Sequence, residues 1–272
     1  MKRLMCFLLY AALVGVFAHG GKAQWIALNR RGNVNGSPAE NDCYLPAQTT
    51  FANGAATITT AAQSTVCSDV NGSGTYSYIT DLLQWGQFSF TYGTITFRAA
   101  LPAQNTATWP AIWMLGTNCQ ASTVLTAGTY GSCVSYPDPS YTEIDMFECG
   151  SPFGGWCQIH MFANGSAPSA CSFAVSDTNY HTWVLTWSAS TVALTMDGVS
   201  TGCSYSSGSS TIPSGPMYLA IGTQVVSASN SHLPTTFKLS YVEVQDASNN
   251  IIFYDHFNHM SMLPTSLSSG AF

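Results

Sequence analysis

Short segments in which apolar and polar side chains strictly alternate recur along most of this sequence, and they constrain it to β-structure. Ile95, Phe97, Ala99 and Leu101 alternate with Thr94, Thr96, Arg98 and Ala100. Trp183, Leu185 and Trp187 alternate with Val184 and Thr186, and Met217, Leu219 and Ile221 repeat the pattern. Val192, Leu194 and Met196 run into Asp197-Gly198, a residue pair suited to a tight hairpin because both tolerate positive φ. Phe237, Leu239, Tyr241 and Glu243 make a late strand. A period of two places each apolar set on one face of a strand. Helical periodicity is nearly absent, and turn-forming stretches such as residues 71–74 and 206–215 separate the segments. Many short strands joined by turns predict an all-β antiparallel sandwich or barrel. Residues 117–140 lack periodicity and carry cysteines, which predicts a long pinned loop; residues 246–272 predict a further strand at 251–254 and a tail.

The first 23 residues differ from the rest. A basic start, Met1-Lys2-Arg3, precedes an apolar run and the small-residue ending Gly21-Lys22-Ala23. This reads as a signal peptide cleaved after Ala23. The run is about 15 residues, shorter than the roughly 20 a spanning helix needs, so an uncleaved membrane anchor is the weaker reading. Residues 24–272 then form a single domain, because no repeat, charge run or linker divides them. A secreted, extracellular or periplasmic monomer is expected, with no membrane attachment after cleavage.

Charge narrows the partners. Beyond the leader only Arg30, Arg31, Arg98 and Lys238 face the 13 acids, a formal balance of −9. Phosphate recognition needs clustered Lys and Arg, so nucleic acid is not an expected partner. Sulfated polysaccharides are disfavoured for the same reason, and a neutral glycan suits the surface better. Cys6 belongs to the leader; Cys43, Cys67, Cys119, Cys133, Cys149, Cys157, Cys171 and Cys203 remain. An even count in an exported chain predicts disulfides, with the connectivity open and Cys119–Cys133 and Cys149–Cys157 suggested by proximity. Neither Cys-x-x-Cys pairs nor spaced His sets occur, so no metal or cofactor is expected.

The chemistry concentrates in Thr142-Glu143-Ile144-Asp145-Met146-Phe147-Glu148, with three of the acids in six residues. On an extended strand Glu143 and Asp145 share a face. Glu148 falls on the other face unless one extra residue, a β-bulge, restores it. Carboxylates gathered on one face repel one another, which raises the proton affinity of at least one. An ionised carboxylate beside a protonated carboxyl is what a retaining glycosidase requires. The same acids could instead line a solvated strand face, but Ile144, Met146 and Phe147 interleave with them as a half-buried strand demands.

Glu143-Ile-Asp-Met-Phe-Glu148 resembles the signature of glycoside hydrolase family 16, in the bulged form of laminarinases and their agarase and carrageenase relatives. Phe88 to Pro102 resembles the strand pair that precedes that family's catalytic strand. Trp109-Pro-Ala-Ile-Trp-Met-Leu-Gly116 is similar to a further motif of the family, and residues 40–60, His181-Thr-Trp183 and 238–245 resemble its opening and closing strands. The likeness spans roughly residues 39–245. It implies a jelly-roll β-sandwich of two antiparallel sheets with a concave substrate cleft. It implies Glu143 as nucleophile, Asp145 as its assistant and Glu148 as acid/base. It further implies Trp109 and Trp113 as sugar-stacking residues, Arg98 as a cleft donor and His160 as a cleft residue beside the acids. Trp85 and Trp156 remain open between packing and binding. Ala39-Glu40 departs from the Asn-Glu common in the family, which puts one sugar contact in question.

The implied activity is a retaining endo-hydrolysis of β-linked polysaccharide, β-1,3-glucan of the laminarin type or mixed-linkage β-glucan. An agarase- or carrageenase-like hydrolase, a transglycosylase of the same fold and a non-catalytic glycan-binding sandwich are the alternatives. Loss of a motif carboxylate would favour the last, yet Glu143, Asp145 and Glu148 are all present.

Overall fold

A computed structural model describes residues 25–32, 40–69, 72–85, 88–103, 108–119, 136–226 and 232–257. The predicted leader and the suggested Cys119–Cys133 pair lie outside what it describes, as does most of the loop expected at 117–140. The strands run in order from β1 (Trp25–Ala27), β2 (Arg30–Arg31), β3 (Asp42–Tyr44) and β4 (Thr49–Ala52) to β5 (Ala55–Asp69) and β6 (Gly72–Thr80). Next come β7 (Leu82–Trp85), β8 (Gly93–Ala100), β9 (Thr108–Gly116), β10 (Glu143–Gly150), β11 (Trp156–Phe162) and β12 (Cys171–Phe173). The chain closes with β13 (Tyr180–Trp187), β14 (Thr191–Met196), β15 (Val199–Ser206), β16 (Met217–Val225), β17 (Thr235–Asp246) and β18 (Ile251–Asp255).

These strands form two stacked sheets, the jelly-roll sandwich implied by the resemblance. The seven-stranded sheet has the order β1-β7-β16-β9-β10-β11-β12. The eleven-stranded sheet runs β15-β14-β13-β8-β17-β5-β6-β3-β2, with β18 beside β17 and β4 beside β5. Every ladder among the described strands is antiparallel except β3 with β6. The alternation read from sequence supplies the layer between them. Ile95, Phe97 and Ala99 of β8 meet Ile112 and Met114 of β9 and Ile144, Met146 and Phe147 of β10 in one core. Trp85 belongs there too, fully buried and edge-on to Phe88 at 4.8 Å between ring centroids. Asp197 and Gly198 take φ of 51° and 78° between β14 and β15, as the sequence predicts for a hairpin whose twist matches its strands.

Three disulfides are described: Cys43–Cys67, Cys149–Cys157 and Cys171–Cys203. The second is the pair expected from proximity, and it links directly opposite residues of β10 and β11. The third connects β12 to β15 and so ties the edges of the two sheets together. The strand expected at 251–254 is β18, and residues 258–272 lie outside the described set.

Candidate active site

The bulge exists and sits where the sequence requires it. Asp145 lies opposite Trp113 on β9 and His160 on β11, and Glu148 lies opposite Ala111 and Gln158. Three steps along β10 therefore match two steps on each neighbour, so one residue is extra against both. Met146 and Phe147 both turn into the core, fully buried, and Glu148 returns to the face of Glu143 and Asp145. Phe147 explains why the chain holds this shape. Its ring lies 4.9 Å from Trp183 and 5.4 Å from Phe97, both on the opposite sheet.

Cross-strand partners share a face, so the register maps the outward face of the seven-stranded sheet in rows. One row runs Tyr218, Leu115, Glu143, Phe162. The next runs Gln84, Ala220, Trp113, Asp145, His160, and a third runs Leu82, Gly222, Ala111, Glu148, Gln158. At Gly222 a side chain would meet Leu82 at 3.1 Å, so glycine lets β16 and β7 pack closely beside the acids. Trp109 pairs with Gln224 one row further on. Trp109, Trp113 and His160 thus join the three carboxylates on one face. Trp156, two residues before Gln158, lies on that face as well and is 51% exposed.

Arg98 does not join them. It sits on β8 in the other sheet, between Thr182 and Tyr241, with its guanidinium 5.4 Å from the centre of the Tyr180 ring. Its neighbours Phe97 and Ala99 fill the core, so period two sends Arg98 to the exterior of the eleven-stranded sheet. The expectation of a cleft donor there is corrected. Glu40 accepts a hydrogen bond from the Tyr44 hydroxyl at 2.9 Å and pairs with Arg30 at 3.6 Å, and Ala39 lies outside the described residues.

Two contacts at the site were not anticipated. The Tyr141 hydroxyl donates to Glu143 Oε2, and Gln158 Nε2 donates to Glu148 Oε2 at 3.0 Å. Oxygens of Asp145 and Glu148 and a ring nitrogen of His160 lie within 4.8 Å of one another. His160 Nε2 meets the Pro168 carbonyl at 2.8 Å; a carbonyl only accepts, so this nitrogen carries the proton. Burial holds the His160 pKa below its usual value, which keeps the ring neutral.

Burial also raises all three carboxyls. Glu143 is pushed up to about 8, chiefly by desolvation and further by the charge of Glu148, against the donors Tyr141 and Asp145. Glu148 is pushed up to about 7 by desolvation, against Gln158 and the Trp109 indole. The Trp109 N–H is near enough to favour the Glu148 anion, although it forms no well-aligned hydrogen bond in this conformation. Asp145 is raised by desolvation and then by the charges of Glu143 and Glu148. As a protonated group it donates to Glu143. Three acids in contact thus bind protons more tightly than free carboxyls do, and the set can pass one out and take one back.

The sequence profile of one known family, described as Glycosyl hydrolases family 16, matches residues 47–243. No curated protein sequence matches the chain. Among solved structures, the laminarinase catalytic domain from Thermotoga maritima MSB8 superposes with a TM-score of 0.64 at 21% identity, covering 81% of this chain and 90% of that one. The endo-beta-1,3-glucanase from Pyrococcus furiosus gives 0.64 at 20% identity, covering 86% and 89%. LamAcat from Zobellia galactanivorans gives 0.64 at 21%, covering 81% and 90%. At these identities the likeness is one of fold.

Proposed function

The chain belongs to the glycosyl hydrolases family 16, and from that premise we propose that it is a retaining endo-hydrolase of β-1,3-glucan or mixed-linkage β-glucan, with Glu143 as nucleophile and Glu148 as acid/base. The observation that carries this reading is the bulge in β10, which brings Glu143, Asp145 and Glu148 to one face of the sheet. The named activities of the fold neighbours, laminarinase and endo-1,3-glucanase, support the choice of glucan.

The steps follow from the donors around each carboxyl. The three acids share their protons as one set, and when the set gives one up with substrate at Glu148, the donors Tyr141 and protonated Asp145 hold Glu143 as the anion. A glycosidic oxygen brought to Glu148 offers an acceptor, which draws the site's remaining proton there. Glu143 attacks the anomeric carbon as Glu148 protonates the leaving oxygen. The ester that forms removes the negative charge beside Glu148, which then accepts a proton from the incoming water. Trp109 and Trp113 offer aromatic faces on which the C–H face of a pyranose packs. His160, neutral and anchored to Pro168, borders the acids and offers its other ring nitrogen as an acceptor.

We further propose export with cleavage after Ala23, leaving residues 24–272 as one catalytic domain acting as a monomer. Three disulfides fit an oxidising compartment. No helix among the described residues is long and apolar enough to cross a membrane.

A product profile on laminarin, lichenan, agarose and xyloglucan, with the anomer followed by NMR during the first turnovers, tests the proposal. The expected result is internal cleavage of laminarin or lichenan with release of the β-anomer first. Cleavage of agarose or xyloglucan alone, or release of the α-anomer, would overturn it. Glu143→Gly should be inactive and partly rescued by azide on an aryl glycoside, giving an α-glycosyl azide.

A further inference from the structure

Tyr141 stands two residues before Glu143, just ahead of β10, with its backbone N–H held by the Asp138 carbonyl at 3.0 Å. Its ring lies 5.8 Å edge-on from Phe162, the residue directly opposite Glu143, and packs on the core. The ring is therefore held by apolar contacts that do not involve its hydroxyl. The hydroxyl itself donates to Glu143 Oε2. An aromatic ring fixed by packing, with its one donor aimed at a catalytic carboxylate, is a device for orienting that carboxylate.

We propose that Tyr141 is the positioning residue of the nucleophile: it occupies Oε2 of Glu143, leaves Oε1 for attack, and in the glycosyl-enzyme donates to the ester carbonyl oxygen. The proposal rests on the reading of Glu143 as nucleophile. Its consequence is asymmetric between the two half-reactions. When the ester breaks, water adds to the anomeric carbon, the carbon–oxygen bond to Glu143 opens, and its electron pair returns to the carboxylate. The water proton passes to Glu148. Negative charge grows on Glu143 in this step, and a donor already in place stabilises it. When the ester forms, charge leaves Glu143, so the same donor assists less. Tyr141 thus matters most for release of the sugar from the enzyme, and for keeping Glu143 ionised as the pH falls.

The groups facing Glu143 are Asp145 and Glu148 on its own strand, His160 from β11, and Tyr218 from β16. Tyr205 of β15 reaches the same acids through the charge of Asp145. Tyr141→Phe leaves all of these in place and keeps the ring, so its effects belong to the hydroxyl.

The test compares wild type with Tyr141→Phe on laminarin and on a dinitrophenyl β-laminaribioside. Thermal melts should superpose. In the variant kcat should fall by about tenfold to a hundredfold, the worth of one hydrogen bond to a charged group. KM on the activated donor should fall with it, leaving kcat/KM on its pH plateau nearly unchanged. Intact-mass spectra in steady state should show the glycosyl adduct accumulating, and the acid limb of kcat/KM should move up by about one pH unit. Unchanged kcat with an unmoved limb overturns the proposal. Parallel loss of kcat/KM and melting temperature also overturns it, since that is a packing role. Peptide mapping of the wild-type adduct separates the two levels. An adduct on another residue sinks the assignment of Glu143, whereas an adduct on Glu143 with equal kinetics in both proteins sinks only the role of Tyr141.

Discussion

Gln158 gives one amide N–H to Glu148 Oε2, a bond that favours the carboxylate over the acid. Burial works the other way and dominates, which is why Glu148 stands near about 7. Replacing Gln158 with Leu removes the donor and leaves the burial, so the Glu148 pKa should rise. The acid form then survives to higher pH, and the alkaline limb of kcat/KM should move up by about half to one unit. An alkaline limb that stays in place would show that Glu148 does not set it. Arg98 supplies the opposite control. It lies on the exterior of the other sheet beside Tyr180, so Arg98→Ala should leave kcat/KM on laminarin within about twofold. A tenfold loss there would require a route from that face to the acids.

At the scale of the strand, the bulge in β10 depends on Phe147, whose ring bears on Trp183, Phe97 and Phe237 across the core. Phe147→Ala removes the anchor of the extra residue and opens a cavity, at a cost of about 3–5 kcal/mol. Activity should fall further than the folded fraction does, because Glu148 loses its aim. A variant that is destabilised yet fully active per folded molecule would separate the bulge from the chemistry. This element was legible in advance for a simple reason: Glu143 and Asp145 share a parity that Glu148 breaks, and one inserted residue is the least change that repairs it. The sandwich was legible for the same kind of reason, since the alternation in β8, β13 and β14 fixes which residues turn inward. Arg98 was misplaced because its role came from the resemblance alone, while the alternation around it reports the face of a strand and not the sheet it joins. Gln158 was missed because its contact depends on the β10–β11 register, which no local pattern encodes. Tyr141 was missed because it stands ahead of β10, next to a turn, where no alternation reports the direction of its side chain.

For the whole molecule, the unusual quantity is the number of buried acids. Asp42, Asp81, Glu143, Asp145 and Glu148 all have raised pKa values, each with burial as the largest cause. Asp42 accepts from the Val225 N–H at 2.8 Å while its Oδ2 has no hydrogen-bond partner, and Asp81 is held by Thr49 and the Leu82 N–H. In the unfolded chain these groups ionise near roughly 3.9 to 4.3. Between there and the folded values, about 7 for Glu148 and about 8 for Glu143, the folded state binds protons that the unfolded state has released. Stability therefore falls as pH rises through this window. His181 adds in the same direction: burial lowers its pKa, but Asp197 and Asp177 outweigh that and raise it, so its contribution also fades on the alkaline side. Exposed Asp138, Asp177, Asp197 and Asp246 have lowered values and lose their contribution only as pH falls below the usual carboxylate range. The melting temperature should thus peak near about pH 4–5 and decline steadily to pH 8. Glu143→Gln with Glu148→Gln replaces two of the titrating groups by neutral amides of the same shape. That variant should be inactive, should melt several degrees above wild type at pH 8, and should show a shallower decline, because the site keeps acids buried for chemistry at the expense of stability. Calorimetry at half-unit steps from pH 3 to 8 checks both curves. A wild-type melting temperature that is flat or rising above pH 5, or a double variant with an unaltered slope, would mean that Glu143 and Glu148 are not the groups that couple protons to the fold.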